Sequence, residues 1–161
     1  MGLARTEDKA ARACDSLGSD TVAVACELSD PDSVRAAVQQ LRSLDPPLDV
    51  LMCNAGIMAL PERELIHGHE KQCFTNHIGH FMLVTGVLDA LAGDARIVVL
   101  SSGAHGWAPG EGIAFDDLSL SSGYTPSKAY GQSKLANLLF ARALAHRLEG
   151  TPKTANAVHR A

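Results

Sequence analysis

Three short runs of apolar residues limit what this 161-residue chain can fold into. They lie at residues 21–26, 48–53 and 96–100, and few polar side chains interrupt them. Strands that are covered on both faces of a sheet have this pattern, whereas half-exposed strands alternate apolar and polar residues. Segments with helical spacing lie between the runs. This alternation predicts a parallel sheet of right-handed βαβ units, and therefore an α/β fold.

Residues typical of helix ends mark the first two helices. Residues 6–17 are charged and rich in alanine, and Gly18 follows them as a helix-ending signal. The second helix begins at Pro31, because proline is favoured at the first helical position. Either Ser29 or Asp30 can cap it. Both helices are short enough to serve as connections between strands.

The second half of the chain contains two longer helices and a glycine-rich loop. Apolar residues at helical spacing predict a helix over residues 68–91. The loop at residues 103–126 is too long for a simple connector and is therefore expected to be functional. Ser127 can cap the next helix, which extends to about residue 148. A last strand begins near residue 154 and continues towards the end of the chain.

Composition is that of one soluble domain covering residues 1–161, with 46% hydrophobic residues and a net charge of −4 from 14 basic and 18 acidic residues. An acidic chain without a basic run is a poor partner for nucleic acid. No apolar run is long enough to span a membrane. Scattered cysteines without paired spacing indicate a reducing compartment, and we expect a cytoplasmic protein. These cysteines are Cys14, Cys26, Cys53 and Cys73.

Tyr130 and Lys134 form the most informative pair in the sequence. Four residues apart on a helix, they lie on the same face, one turn from each other. A fixed cation beside a phenol favours its ionised form, which would make Tyr130 an acid or base usable near pH 7. The same spacing occurs at Tyr124 and Lys128, but Pro126 would interrupt the helix needed to stack that pair. We therefore regard the earlier pair as accidental.

Further polar residues follow the predicted strands, at the edge where open parallel sheets bind ligands. Ser101 and Ser102 end one strand, and Asn54-Ala55-Gly56 ends the preceding one. Between them, Asn76 and Gly79 lie within the predicted 68–91 helix, although asparagine and glycine are poor helix formers. Residues that break a local preference in this way are more frequent at functional sites, and tolerance in packing is the equal alternative.

Together these segments resemble the short-chain dehydrogenase/reductase family, and most closely its retinol dehydrogenase-like branch. The resemblance extends over nearly the whole chain and implies a Rossmann-like, doubly wound parallel sheet. It also implies NAD(P)-dependent interconversion of an alcohol and a carbonyl, with a small apolar substrate. The matching segments, in order, are Asn54-Ala55-Gly56, Asn76-His77-Ile78-Gly79-His80-Phe81, Arg96 to Ser102, and Tyr130-Gly131-Gln132-Ser133-Lys134-Leu135-Ala136-Asn137.

The resemblance also implies roles for single residues. Tyr130 would exchange the hydroxyl proton, and Ser102 would hydrogen-bond the substrate oxygen. Lys134 would favour the ionised form of Tyr130 and bind the nicotinamide ribose. Asn76 would hold a water molecule of the proton relay. These four residues form the predicted catalytic set.

The cofactor residues implied by the resemblance lie mostly in the first third of the chain. Asn54, Ala55 and Gly56 would line the cofactor, together with Tyr130 and Lys134. Arg5 resembles the basic residue that meets the 2′-phosphate in NADP-using members, which favours NADP over NAD. Glu27-Leu28 matches an adenine-contacting Asp-Leu pair, with glutamate in place of aspartate.

Two parts of the family pattern are not found in this sequence. The glycine-rich strand-turn that holds the pyrophosphate does not precede Met1, and the substrate-binding segment does not follow Ala161. We therefore expect a truncated sheet in which the strand at 21–26 has lost its route to the strand at 48–53. We also expect the 161-residue chain to bind NADPH more weakly than micromolar. Calorimetric titration measures this affinity, and a micromolar or tighter complex would contradict the prediction.

The sequence also allows three interpretations other than an oxidoreductase: a zinc site, a hydrolase and a protein without catalysis. Cys73, His77 and His80 share a helical face and have ligand types that suit zinc, but the family pattern also has histidines there, so no metal site is predicted. Ser102 and His105 lack the elbow and the acid of a hydrolase. The serious alternative is a catalytically silent relative, or an incomplete gene product, that acts through protein association. The helices at 68–91 and 127–148 would then form a homodimer.

Overall fold

The computed structural model describes residues 1–15, 18 and 21–159. The strands are β1 (Gly2–Ala4), β2 (Ala23–Ala25), β3 (Val50–Cys53), β4 (Leu65–Ile66), β5 (His69–Glu70), β6 (Arg96–Leu100) and β7 (Thr154–Val158). The α-helices are α1 (Glu7–Asp15), α2 (Pro31–Arg42), α3 (Lys71–Cys73), α4 (Gly79–Val87) and α5 (Pro126–Arg147). A π-helical turn at Phe74–Ile78 joins α3 to α4, and 3₁₀ turns lie at Gly103–Trp107 and Phe115–Asp117.

Parallel strands form two separate sheets. β1 pairs with β2, and β3, β6 and β7 pair in that order, all in parallel. The predicted α/β fold is confirmed. Within the described residues no ladder joins the two sheets, and β1 and β3 instead line a common cavity of about 780 Å³. This separation agrees with the expectation that the strands at 21–26 and 48–53 are no longer connected through the sheet.

Helices α2, α4 and α5 cover one face of the strands. Their apolar side chains join those of β2, β3 and β6 in a single core, as Val34, Val84, Ile97 and Leu144 illustrate. The opposite face of the three-stranded sheet is open, because Val50, Met52 and Val158 are 49%, 63% and 42% exposed. The prediction that these strands are covered on both faces was therefore wrong for that face.

The first two helices agree closely with their sequence signals. Asp30 rather than Ser29 caps α2, and its Oδ1 accepts a hydrogen bond of 3.0 Å from the amide of Asp32. Pro31 occupies the first position, as predicted. Helix α1 begins at Glu7, while residues 16 and 17, where its predicted end lies, fall outside the described residues.

The long helix predicted over residues 68–91 begins later and ends earlier. Residues 65–70 form the β4–β5 hairpin, and its turn places His67 at φ 48° and Gly68 at φ 81°. Glycine adopts that left-handed conformation without steric cost. The helix begins at Lys71, where the Glu70 carboxylate accepts a hydrogen bond from the amide of Cys73. Its last regular residue is Val87.

Helix α5 begins one residue before the predicted cap. Thr125 caps it and accepts a hydrogen bond of 3.2 Å from the amide of Lys128, so the expectation that Ser127 caps this helix was wrong. Pro126 takes the first helical position. A backbone N–H has no partner within the helix at that position, so the N–H that proline lacks is not needed. The final strand is β7, which ends at Val158, and Ala161 lies outside the described residues.

Candidate active site

The cavity between β1 and β3 brings together six of the eight predicted cofactor residues. Arg5 follows β1, Glu27 and Leu28 follow β2, and residues 54–56 follow β3. All of them lie after the carboxyl end of a parallel strand, where ligands of such sheets bind. The carboxylate of Glu27 accepts hydrogen bonds from the amide and hydroxyl of Ser29, at 3.1 and 2.7 Å. The other two predicted cofactor residues, Tyr130 and Lys134, belong to α5.

Gly56 joins this cavity to the predicted catalytic residues. A Cβ atom at Gly56 would lie 3.0 Å from Oδ1 of Asn76 and 3.7 Å from Nζ of Lys134. The missing side chain therefore lets the backbone that lines the cavity pack directly against two buried polar groups. Residues 54–56 are exposed along the cavity. This backbone, with the Lys134 cation behind it, fits a nicotinamide dinucleotide.

Tyr130 and Lys134 lie on one face of α5, as their spacing predicts. Nζ of Lys134 lies 5.5 Å from the centroid of the Tyr130 ring. The Lys134 side chain is buried, and its Nζ donates a hydrogen bond of 3.1 Å to the carbonyl of Leu100. Burial lowers the pKa of this ammonium group. The pair thus places a desolvated cation beside a phenol.

The serines at the end of β6 differ in their contacts. Ser101 is buried, and its hydroxyl donates to the carbonyl of Lys134 at 2.7 Å, which anchors α5 to the strand. Ser102 is partly exposed, and its hydroxyl accepts from the amide of Ala104 at 3.2 Å. His105 contacts the carbonyl of Ser102 and not its hydroxyl, so the contact required for a serine nucleophile does not form.

Asn76 is fully buried at the centre of the π turn. Its Oδ1 accepts from the amide of Ile57 at 2.7 Å, and its Nδ2 donates to the carbonyl of Ile57 and to the hydroxyl of Ser133, both at 2.9 Å. Ser133 in turn donates to the carbonyl of Tyr130 at 2.7 Å. Asn76 therefore holds the loop after β3 and contacts the helix that carries the tyrosine. π turns of this kind are frequent at functional sites.

The long loop before α5 packs directly on the catalytic helix. A Cβ atom at Gly131 would lie 2.7 Å from the backbone of Trp107 and Ala108. The buried amide of Gln132 accepts a hydrogen bond of 2.9 Å from the amide of Ala114. Both contacts place the loop at the turn of α5 between Tyr130 and Lys134.

Tyr124, the tyrosine of the accidental pair, has a structural contact instead. It precedes α5, and its hydroxyl donates to the carbonyl of Leu60 at 2.7 Å. The buried Gln72 donates to the same hydroxyl at 3.3 Å and accepts from the amide of Ala59 at 2.8 Å. Gln72 and Tyr124 thus connect the segment before α5 to the loop after β3.

His77 and His80, considered as zinc ligands in the sequence, both contact amide oxygens. Nδ1 of His77 lies 3.1 Å from Oδ1 of Asn137, and Nδ1 of His80 lies 2.9 Å from the carbonyl of Asn76. Among the described residues, no group of three metal-ligating side chains is close enough to hold an ion.

Because of His77 and His80, we predict that the protein is less stable at acidic pH. Burial lowers the pKa of both from the ordinary value of 6.5. The unfolded chain therefore binds more protons than the native one below that pH. We expect the free energy of unfolding to fall as pH drops from about 6.5, by up to about 1.4 kcal/mol per pH unit for each histidine. Denaturant titrations between about pH 7 and pH 5 measure this slope.

The matched control is the double variant His77→Asn, His80→Asn, which replaces two titrating rings by neutral amides. It should show a clearly flatter slope over the same pH range. An identical slope in the double variant would show that other groups cause the pH dependence.

Three buried residues of the site have no role predicted from the sequence. Ser133 and Asn137 belong to one of the matching segments, and Gln72 lies outside all of them. Ser133 and Asn137 lie three and seven residues after Tyr130, on the face of α5 that carries Tyr130 and Lys134. That spacing was the signal available for them. Gln72 had none, because its partners lie 13 and more residues away.

Comparison with known proteins agrees with this fold. The family model of short chain dehydrogenases matches residues 1–114. Short-chain dehydrogenase TIC 32 A, chloroplastic, of Brassica napus is 45% identical over 142 residues, which cover 83% of this chain and 44% of the relative. Human retinol dehydrogenase 14 is 44% identical over 135 residues, which cover 83% of this chain and 39% of the relative.

Among solved structures, an uncharacterised protein from Mycobacterium paratuberculosis superposes with a TM-score of 0.84. It is 38% identical, and the match covers 98% of this chain and 56% of that one. The fold is thus the Rossmann-like α/β fold that the sequence predicts.

The chain belongs to the short-chain dehydrogenase/reductase family. The relatives include retinol dehydrogenases, which confirms the resemblance to that branch. The chain spans less than half the length of the two curated relatives described above. No helix in the described part of the chain is long and apolar enough to cross a membrane.

Proposed function

We propose that this chain contains the catalytic residues of an oxidoreductase that interconverts an alcohol and a carbonyl with a nicotinamide dinucleotide. The observation that carries the proposal is the convergence at Gly56. There the cavity after β1, β2 and β3 meets the side chains of Asn76 and Lys134. Tyr130 lies on the same helix as Lys134, with its ring near the ammonium. A proton donor, a cation and a ligand cavity are thus combined.

Each catalytic residue has a proposed role that follows from its surroundings. Tyr130 donates a proton to the carbonyl oxygen of the substrate, or accepts one from the alcohol. Lys134 stabilises the phenolate, since a cation in a water-poor environment favours the charged form of its neighbour. Ser102 hydrogen-bonds the substrate oxygen at the end of β6. Asn76 fixes the loop after β3 through its two hydrogen bonds to Ile57.

The same cavity has side chains suited to a dinucleotide. Arg5 is an exposed cation at its rim, which favours a 2′-phosphate and therefore NADP over NAD. Leu28 lines the cavity on the side proposed for the adenine ring and is 8% exposed, and residues 54–56 offer exposed backbone to the nicotinamide end. When bound, the nicotinamide supplies or takes the hydride. An apolar substrate is consistent with the exposed Trp107 and Phe115 of the loop before α5.

The proposal is tested by turnover of Tyr130→Phe beside the wild-type chain. We expect NADPH-dependent reduction of apolar aldehydes by the wild type at high cofactor concentration. In Tyr130→Phe the rate should fall by about 10²- to 10⁴-fold, because the proton donor is lost. Absorbance of the reduced nicotinamide measures the rate.

The second tyrosine of the chain is the matched control. Tyr124→Phe removes a hydroxyl that contacts Leu60 and Gln72, outside the catalytic set, and should keep most of the turnover. Equal loss in both variants would contradict a specific role for Tyr130.

A second candidate function is protein association without catalysis. Phe81 on α4 and Leu139 on α5 are 45% and 44% exposed, and Phe81 packs against Phe140 with ring centroids 5.2 Å apart. Apolar side chains on two neighbouring helices suit a homodimer contact. A folded protein without turnover in wild type and Tyr130→Phe alike would favour this candidate.

The proposed location is the cytoplasm, supported by four buried free cysteines that form no disulfide among the described residues. Burial raises the pKa of Cys26 to about 11 and that of Cys53 to about 12, so these thiols are unreactive.

A further inference from the structure

Two consecutive residues of the π turn contact the catalytic helix. Asn76 donates to the hydroxyl of Ser133, and the next residue, His77, lies 3.1 Å from Oδ1 of Asn137. In a regular α-helix consecutive side chains are about 100° apart and do not face the same neighbour. The wider π turn brings both of them to α5. Their partners are one helical turn apart and flank Lys134.

Asn137 also contacts the backbone carbonyl that binds the ammonium of Lys134. The carbonyl of Leu100 accepts two hydrogen bonds of 3.1 Å, one from Nζ of Lys134 and one from Nδ2 of Asn137. A carbonyl oxygen has two lone pairs and can satisfy both donors. The Asn137 and Lys134 side chains are 1% and 3% exposed, so water does not replace either bond.

Hydrogen-bond chemistry determines which group donates and which accepts in this series of contacts. Asn137 must direct Nδ2 at the Leu100 carbonyl, because the reversed amide would place two acceptors together. Its Oδ1 therefore faces His77 and accepts. Nδ1 of His77 consequently carries the proton. The order of donation is His77 to Asn137, and Asn137 to Leu100.

We propose that Asn137 and His77 are positioning residues for Lys134. Asn137 orients the Leu100 carbonyl, and that carbonyl is the hydrogen-bond partner of Nζ among the described residues. His77 orients the Asn137 amide. Because the lysine side chain has a flexible four-carbon stem, the direction of this carbonyl determines where the ammonium lies relative to the Tyr130 ring. The catalytic importance of the arrangement rests on the proposed function, whereas the contacts themselves do not.

Two pairs of variants separate positioning from simple packing. Asn137→Leu keeps the size of the side chain and removes its donor and acceptor. His77→Leu removes the proton donated to Asn137, whereas His77→Asn places an amide nitrogen near the position of Nδ1 and keeps a donor. Far-UV circular dichroism and thermal unfolding establish that each variant is folded. If Asn137→Leu does not fold, the two His77 variants still decide the question.

The first readout is nuclear magnetic resonance of the lysine ε-methylene groups, of which the chain has five. Lys134→Met assigns the Lys134 signal. In the wild type this signal should show a contact with the Tyr130 ring. We expect the contact and the ring-induced shift to be lost in Asn137→Leu, weakened in His77→Leu and retained in His77→Asn. An unchanged Lys134 signal in folded Asn137→Leu would overturn the proposal.

The second readout is the nitrogen spectrum of the histidines, which should show a neutral His77 with its proton on Nδ1. A proton on Nε2 would overturn the proposed order of donation. The third readout is turnover, where kcat should fall about tenfold in Asn137→Leu with little change in KM, and His77→Asn should behave as the wild type. An inactive wild type would contradict the proposed function alone, since the two spectroscopic readouts test positioning without it.

Discussion

Gly79→Ala is expected to destabilise the protein by about 3 kcal/mol. A Cβ atom at Gly79 would lie 2.3 Å from the carbonyl oxygen of Leu28 and 2.9 Å from its Cβ. Backbone atoms cannot turn aside as a flexible side chain can, so α4 must move away from the loop after β2. The higher helix propensity of alanine returns only about 1 kcal/mol. Denaturant unfolding monitored by circular dichroism measures the difference.

Two other glycines serve as controls for this substitution. At Gly86 the nearest atoms to an added Cβ are the Val38 methyl groups, at 2.8 and 2.9 Å, and a side chain can adjust more easily than backbone. At Gly93 nothing lies within 4 Å. We expect a smaller loss for Gly86→Ala and a change within about 0.5 kcal/mol for Gly93→Ala. Equal stability of Gly79→Ala and Gly93→Ala would show that α4 does not depend on this close approach.

Asn76→Ala is expected to lower the free energy of unfolding by about 3 kcal/mol and to abolish turnover. The variant removes three hydrogen bonds at once and leaves the amide and carbonyl of Ile57 without these partners. It also frees the Ser133 hydroxyl that contacts the Tyr130 carbonyl. Hydrogen exchange at the Ile57 amide measures the loss of its hydrogen bond to Asn76 directly. This exchange should become at least about tenfold faster.

Asn156→Ala provides the comparison, because Asn156 is exposed on β7 and far from these contacts in sequence. It should leave both stability and the Ile57 amide close to the wild type. Unchanged exchange at Ile57 in Asn76→Ala would mean that the loop after β3 is held by other contacts, and the role proposed for Asn76 would have to be abandoned.

The two predictions concern residues whose sequence signal was ambiguous. Asn76 and Gly79 both lie in a helix that their types disfavour, which indicated either a site or tolerance in packing. The structure assigns different reasons to them. Asn76 bonds the loop after β3 and Ser133, whereas Gly79 allows α4 to touch the Leu28 backbone. Propensity identified both positions and could not distinguish between the reasons, because both depend on partners that are distant in sequence.

Elements with strong local signals were predicted well. β6 was found at its observed bounds, and Pro31 began α2 as expected. The hairpin at residues 65–70 was missed because its strands have only two residues each, too few to show a period of two. The π turn was missed because an added residue in one turn leaves no pattern of its own. The cap of α5 was predicted at Ser127 and lies at Thr125, because both residue types cap helices and they are only two positions apart.

Local chemistry was therefore readable in the chain before any fold was known: apolar runs indicate strands, prolines and caps begin helices, and a spacing of four pairs Tyr130 with Lys134. Whether a polar residue contacts a ligand, a loop or another helix depends on which segments pack against it, and packing joins residues that are far apart in the chain. Asn76 meets Ser133 across 57 residues, and Lys134 meets Leu100 across 34. Such contacts arise only when the helices pack on the sheet, because burial then requires each polar group to find a partner.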